Sequence, residues 1–177
     1  MKIREEGYYH IFNRGHNKSC IFFETENYLR FLSKFEQYVL PHCEVFAYCL
    51  MPNHFHLFLK VIHKSEFDRG IKNFFISYSK SINKAYERVG SLFQGRYKAK
   101  EVTDSNYFTR IITYIHQNPK NALLVKNHED YFFSSYHHYL NATDTTMLTK
   151  DPVLAWFGGI EGFIFDHVID LRSLKTS

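Results

Sequence analysis

Apolar positions along this chain keep two periods, and the order in which those periods alternate predicts a fold. Tyr8-Tyr-His-Ile-Phe-Asn-Arg14 reads as a first strand, ended by the turn composition of Arg14-Gly15-His-Asn. Tyr28, Phe31, Leu32, Phe35 and Val39 then fall at helical spacing, and Pro41 marks the helix end. Cys43 to Leu50 is a strand rich in Val, Phe and Tyr, and Met51-Pro-Asn53 joins it as a short hairpin to the next. In that next strand Phe55, Leu57, Leu59 and Val61 make one apolar face, while His54, His56, Phe58 and Lys60 make the other.

From Glu66 to Arg88 an amphipathic helix carries Ile71, Phe74, Phe75, Tyr78, Ile82 and Tyr86 on one side, before Gly90 breaks it. Arg69, Lys80, Lys84 and Arg88 on its other side read as a solvated face. Arg96 to Val102 reads as a fourth strand with Arg96, Lys98 and Lys100 along one face. Asp104 or Ser105 then caps a helix with the buried stripe Phe108, Ile111, Ile112 and Ile115, which Pro119 is expected to stop. Beyond about Lys126 the pattern weakens: Tyr131 to Leu140 is aromatic, Asn141 to Thr149 is polar, and Val153 to Phe157 starts a short helix.

The order β-α-β-β-α-β followed by a helix is that of a ferredoxin-like α+β sheet, as in RNA-recognition and palm-type domains, with helices on one face. The other face is left for function. The 177 residues fit one domain with an extension better than two domains. Hydrophobic residues at 45% suffice for a real core, and no apolar run approaches the roughly 20 residues of a membrane span. The amino terminus lacks a signal-peptide core, so a cytoplasmic protein is expected. Cys20, Cys43 and Cys49 form no Cys-x-x-Cys pair and are read as buried thiols, not as a disulfide framework or a thiolate metal site. A net charge of +4 is compatible with a phosphate-bearing partner.

Candidate chemistry starts at His54-Phe55-His56. On a strand these two imidazoles share a face with origins roughly 7 Å apart, close enough to converge on one cation. On the last helix Tyr114 and Asn118 are four residues apart, hence on one face, at the flank of the buried stripe. The Asn118 carbonyl oxygen can complete a hard or borderline metal site with the two histidines, and Tyr114 adds a phenol. A phenol, with its pKa of about 10, is a feeble nucleophile at neutral pH and needs an activated electrophile, which a Lewis acid supplies. Arg14, Arg96, Lys98 and Lys100 can neutralise the phosphates of a nucleic-acid strand, and Tyr97 or Phe58 can stack on bases. Tyr107 on the same flank is read as packing, and His116 and the His137-His138 pair are left without a role.

Four blocks in this order, Met51-Pro-Asn-His-Phe-His56, Leu92-Phe-Gln-Gly-Arg-Tyr97, Tyr114-Ile-His-Gln-Asn-Pro119 and Ser134-Ser-Tyr136, resemble the REP-associated tyrosine transposases. These belong to the HUH-type, single-tyrosine, single-strand DNA transposases, and the resemblance runs from Tyr8 to about Tyr139. It implies a divalent ion, Mg²⁺ or Mn²⁺, on His54, His56 and Asn118, with Tyr114 as nucleophile. It further implies attack on single-stranded DNA beside a palindromic hairpin, leaving a 5′-phosphotyrosine link and a free 3′-hydroxyl. Relatives with insertion-sequence ends often carry glutamine where Asn118 stands, so asparagine points to the REP-associated branch. Residues 1–126 are then the catalytic domain and 127–177 an extension packed on or tethered to it, in a monomer or a homodimer.

Two other functions fit parts of the pattern. A nucleic-acid-binding module without chemistry accounts for the sheet and its aromatics but leaves the histidine, tyrosine and asparagine pattern unexplained. A metal-dependent nuclease using water would need acidic residues that are sparse near the histidines.

Overall fold

A computed structural model describes residues 3–141 and 147–168, so part of the polar stretch expected after Asn141 and the last residues of the extension lie outside the described residues. Strands β1 (Tyr8–Arg14), β2 (Cys43–Met51), β3 (His54–Val61) and β4 (Lys98–Glu101) form one antiparallel sheet in the order β2-β3-β1-β4. This is the expected ferredoxin-like arrangement. Only Pro52 and Asn53 separate β2 from β3, which sets His54 at the rim of the sheet. Helices α1 (Thr25–Tyr38) and α2 (Lys64–Ala85) lie together on one face, where Phe31 packs 5.1 Å from Phe55 and 4.8 Å from Phe74, ring to ring. Their approach leaves no room for a side chain at Gly70, where a Cβ would stand 2.0 Å from the Tyr38 carbonyl oxygen.

Helix α2 ends at Ala85, before Arg88 and Gly90, because Glu87 takes a left-handed conformation with φ of 49°. The fourth strand is also shorter than its alternation suggests: Arg96 and Tyr97 precede it. The thiols of Cys43 and Cys49 are buried as expected, whereas Cys20 is exposed.

The opposite face is divided between core and open surface. Helix α3 (Phe108–Asn121) lies against β2 and β3, with the Phe108 ring 5.3 Å from Phe58 and 4.5 Å from Tyr8. Beyond the short helix α4 (Tyr136–Leu140), Trp156 of α5 (Lys150–Trp156) closes this second core at 4.8 Å from Phe108 and 5.0 Å from Phe46. Phe58 is therefore fully buried and cannot stack on a base, a correction to the sequence reading. The alternation counted it with the histidines correctly, but that face is wet only towards β1 and β4. Residues 133–135 run along the free edge of β2, with Leu50 N–H donating to the Phe133 carbonyl and Ser135 N–H to that of Tyr48.

Pro119 does not stop α3, which continues to Asn121. Proline lacks the N–H that the Ile115 carbonyl would accept. The Asn118 side-chain amide substitutes, donating to Tyr114 O at 2.7 Å and, more weakly, to Ile115 O at 3.4 Å.

A buried polar chain fixes the back of α3. His167 of α6 (Ile160–Val168) donates from Nδ1 to the Phe163 carbonyl, so its bare Nε2 accepts from His116 Nδ1 at 2.8 Å. The other nitrogen of His116 then accepts from the Ser135 hydroxyl at 2.7 Å, and Ser135 Oγ in turn accepts from Tyr48 N–H. Leaving one such buried group unpaired costs about 1–3 kcal/mol. No helix among the described residues is long and apolar enough to cross a membrane.

Burial pushes the pKa of His167 from 6.5 down to about 3, so the ring is neutral in the folded protein. Below pH 6.5 the unfolded chain takes up this proton and the folded chain does not, so stability falls with pH across that window. Urea denaturation at pH 5 should show roughly 2 kcal/mol less stability than at neutral pH from this residue. His167→Gln should lose that part of the pH dependence; an identical pH slope in the variant would show that His167 is not buried neutral.

Candidate active site

Cross-strand register assembles one side of the site. Arg14 stands opposite His54, Phe12 opposite His56 and Lys98, and His10 opposite Lys100, so all of them belong to one face of the sheet. The segment before β4 is tied to the end of β1: Gln94 N–H donates to Arg14 O at 2.9 Å, Asn13 Nδ2 to Gly95 O at 3.0 Å, and the Arg14 guanidinium to the Gln94 side chain. A cleft of about 540 Å³ results, lined among others by Arg14, Lys18, His54, His56, Arg96 and Lys98.

Helix α3 brings the other side. The ring centroids of His54 and His56 are 5.2 Å apart, and that of Tyr114 is 5.6 Å from His56. The Asn118 amide nitrogen is committed to helix carbonyls, which leaves its carbonyl oxygen on the side of the His54 ring, while His54 Nδ1 donates to the Asn53 side-chain oxygen at 2.6 Å and so keeps Nε2 bare. The residues read from sequence as ligands and nucleophile are thus gathered, about sixty residues apart in the chain. Tyr114 is exposed, against the nearly buried His56. Burial lowers the pKa of both His54 and His56, which keeps them neutral with a lone pair available.

One member escaped the sequence reading. His10 is buried and its Nε2 lies 2.8 Å from His56 Nδ1. Burial, then the charge of Lys100, depresses its pKa to about 4. A neutral His10 accepting through Nε2 holds His56 in the tautomer that leaves Nε2 bare. The signal was present in the sequence, since His10 sits at an even position of β1 with Phe12 and Arg14, but no spacing rule links it to His56.

Not every predicted DNA contact joins the cleft. Arg14, Arg96 and Lys98 line it, whereas Lys100 lies in the groove beside Tyr114. Tyr97 points to the far side of the sheet, its ring 5.6 Å from Phe75 and nearly parallel to it. His116 belongs to the buried chain behind α3, and the His137 and His138 rings lie 4.0 Å apart and tilted against one another, clear of the cleft.

A family model for IS200-like transposases matches residues 4–118. The chain belongs to this family. As a member of the IS200-like transposases it is an enzyme of DNA transposition, and the matched span runs from before β1 to Asn118. Among solved structures, a REP-associated tyrosine transposase bound to a REP hairpin has the same fold, with a TM-score of 0.59 and 16% identity. The alignment covers 83% of this chain and 93% of that one. No curated protein matches this transposase chain.

Among the described residues no three His, Cys, Asp or Glu side chains cluster as a metal site. The donor set that does converge, two neutral imidazoles and an amide oxygen, is borderline to hard and suits a divalent ion that keeps water ligands. The orienting contact from His10 is the kind that metal-bound imidazoles receive. Nitrogen-15 NMR of the free protein should show His56 protonated at Nδ1, and His10→Ala should convert it to mixed tautomers while lowering Mn²⁺ affinity about 10- to 100-fold. An unchanged His56 tautomer in the variant would remove His10 from the site.

Proposed function

We propose that this transposase nicks and rejoins single-stranded DNA at hairpins, with Tyr114 as nucleophile and a 5′-phosphotyrosine intermediate. The observation that carries the reading is the placement of an exposed phenol beside two neutral imidazoles and the Asn118 side chain, at the border of a basic cleft that the histidines line. Residues 1–126 act as the catalytic unit and 127–177 as its extension, of which Ser135, Tyr136, Tyr139 and His167 brace α3. Hairpin DNA is the substrate by analogy with the structural neighbour, whose ligand is a REP hairpin.

The step is a displacement at phosphorus. The bond from the Tyr114 oxygen to phosphorus forms as the bond to the 3′-oxygen breaks. The phenolic proton is lost to solvent, and the departing 3′-oxygen takes one up. One phosphodiester replaces another, so no nucleotide or redox partner is consumed, and the released 3′-hydroxyl can attack the tyrosyl ester to reverse or redirect the reaction. His54, His56 and Asn118 would hold Mg²⁺ or Mn²⁺, which when bound polarises the phosphate as a Lewis acid. Arg14, Arg96 and Lys98 hold the strand by its phosphates, and helix α3 fixes the direction from which the phenol approaches.

Incubation with Mn²⁺ or Mg²⁺ and labelled hairpin DNA bearing single-stranded flanks should give an adduct that survives denaturing electrophoresis. Tyr114→Phe should abolish it, and His56→Ala should reduce it at least 100-fold with the thermal unfolding profile retained. Cleavage by the wild type without adduct would replace tyrosine attack with hydrolysis.

A further inference from the structure

His56 and Phe12 lie between two clefts, and the two walls differ in chemistry. The first contains His54 and the basic residues Arg14, Arg96 and Lys98, but not Tyr114. The second, about 930 Å³, contains Tyr114, His10, Lys100, Tyr107 and Arg110, but not His54. We infer that the second cleft binds the nucleotide on the 3′ side of the nick, the one retained on Tyr114, with Tyr107 stacking on its base and Arg110 holding its next phosphate. This rests on the proposed tyrosine chemistry and adds to it a strand polarity and two binding residues.

Polarity follows from the stereochemistry of displacement. The entering oxygen, phosphorus and leaving 3′-oxygen must be nearly collinear, so nucleophile and leaving group occupy opposite sides of the phosphate. Tyr114 enters from the wall of the second cleft. The departing 3′-oxygen therefore points into the first, and the strand it terminates lies along Arg14, Arg96 and Lys98. The nucleotide kept by its 5′-phosphate stays beside the tyrosine.

The second cleft is built for such a guest. Tyr107, Arg110, Tyr114 and Asn118 follow each other at intervals of three and four, so they form one line along α3 and the turn before it. Tyr107 is 48% exposed, an aromatic face that the core does not use. Packing was the natural reading of it in the sequence, but Phe108 beside it takes that role at 5% exposure. The two carboxylates of the cleft are engaged: Glu101 pairs with Arg4 at 2.5 Å and accepts from the Tyr9 hydroxyl, while Asp104 accepts from Asn106 N–H. Among the described residues Arg110 and Lys100 make no ion pair, which leaves two cations for phosphate. A base stacks on an aromatic side chain without regard to its identity, which suits a position held by stacking and not by edge hydrogen bonds.

The test takes the nick position from the wild-type adduct, then places 5-iododeoxyuridine on either side of it in DNA bound to Tyr114→Phe protein. Irradiation should crosslink the 3′ nucleotide to Tyr107, identified by mass spectrometry of the peptide, and the 5′ nucleotide elsewhere. In the same background Tyr107→Ala should weaken binding about ten-fold, Tyr107→Phe should restore it, and Arg110→Ala should lower the salt dependence by about one phosphate contact. Crosslinking of Tyr107 by the 5′ probe reverses the polarity and overturns the inference, as does crosslinking by neither probe together with unchanged affinity in Tyr107→Ala. Absence of an adduct in the wild type would instead overturn the tyrosine mechanism and this inference with it.

Discussion

The position of α3 on the sheet is the constraint from which the rest follows. Its apolar stripe, Phe108, Ile111, Ile112 and Ile115, is held between β2 on one side and Trp156, Phe163 and His167 on the other. A turn of helix advances about 5.4 Å, comparable to the 5.6 Å between the Tyr114 and His56 rings. A slip of one turn would therefore remove the phenol from the site entirely. Apolar packing resists such a slip weakly, because one isoleucine fills another's place at modest cost. The chain Tyr48–Ser135–His116–His167 resists it strongly, since each buried partner has a single geometry that satisfies it.

This gives the residues after 127 a role that their weak periodicity concealed. They supply Ser135, Tyr136, Tyr139 and His167, and these contacts bind the helix carrying Tyr114 from behind. They also cover the β2 edge through Ser134 and Ser135, while β4 remains the open edge of the sheet, with Lys98 and Lys100 exposed on it.

The βαββαβ order, the two-residue hairpin before His54 and the shared flank of Tyr114 and Asn118 were legible in the sequence, because each depends on local periodicity or on turn residues. What was not legible depended on partners distant in the chain. Phe58 has the same period as the histidines and differs only in that α3 covers it. Tyr97 alternates properly with Arg96 and Lys98, yet the strand starts after it and Phe75 takes its ring. Pro119 stops most helices, and here Asn118 lends an N–H where proline has none. His10 carries no signal by spacing; it is found only when β1 and β3 are set in register.

The bond from Asn118 Nδ2 to the Tyr114 carbonyl has a consequence for how the site opens. The two histidines are mounted on the sheet, while tyrosine and asparagine are cross-braced to each other on one turn of one helix. A shift of α3 on the sheet would carry the Tyr114 backbone and the Asn118 amide together. The Asn118 amide and the Tyr114 backbone therefore keep one spacing relative to each other, while their distance from the histidines of β3 is set by the seat of α3 on the sheet.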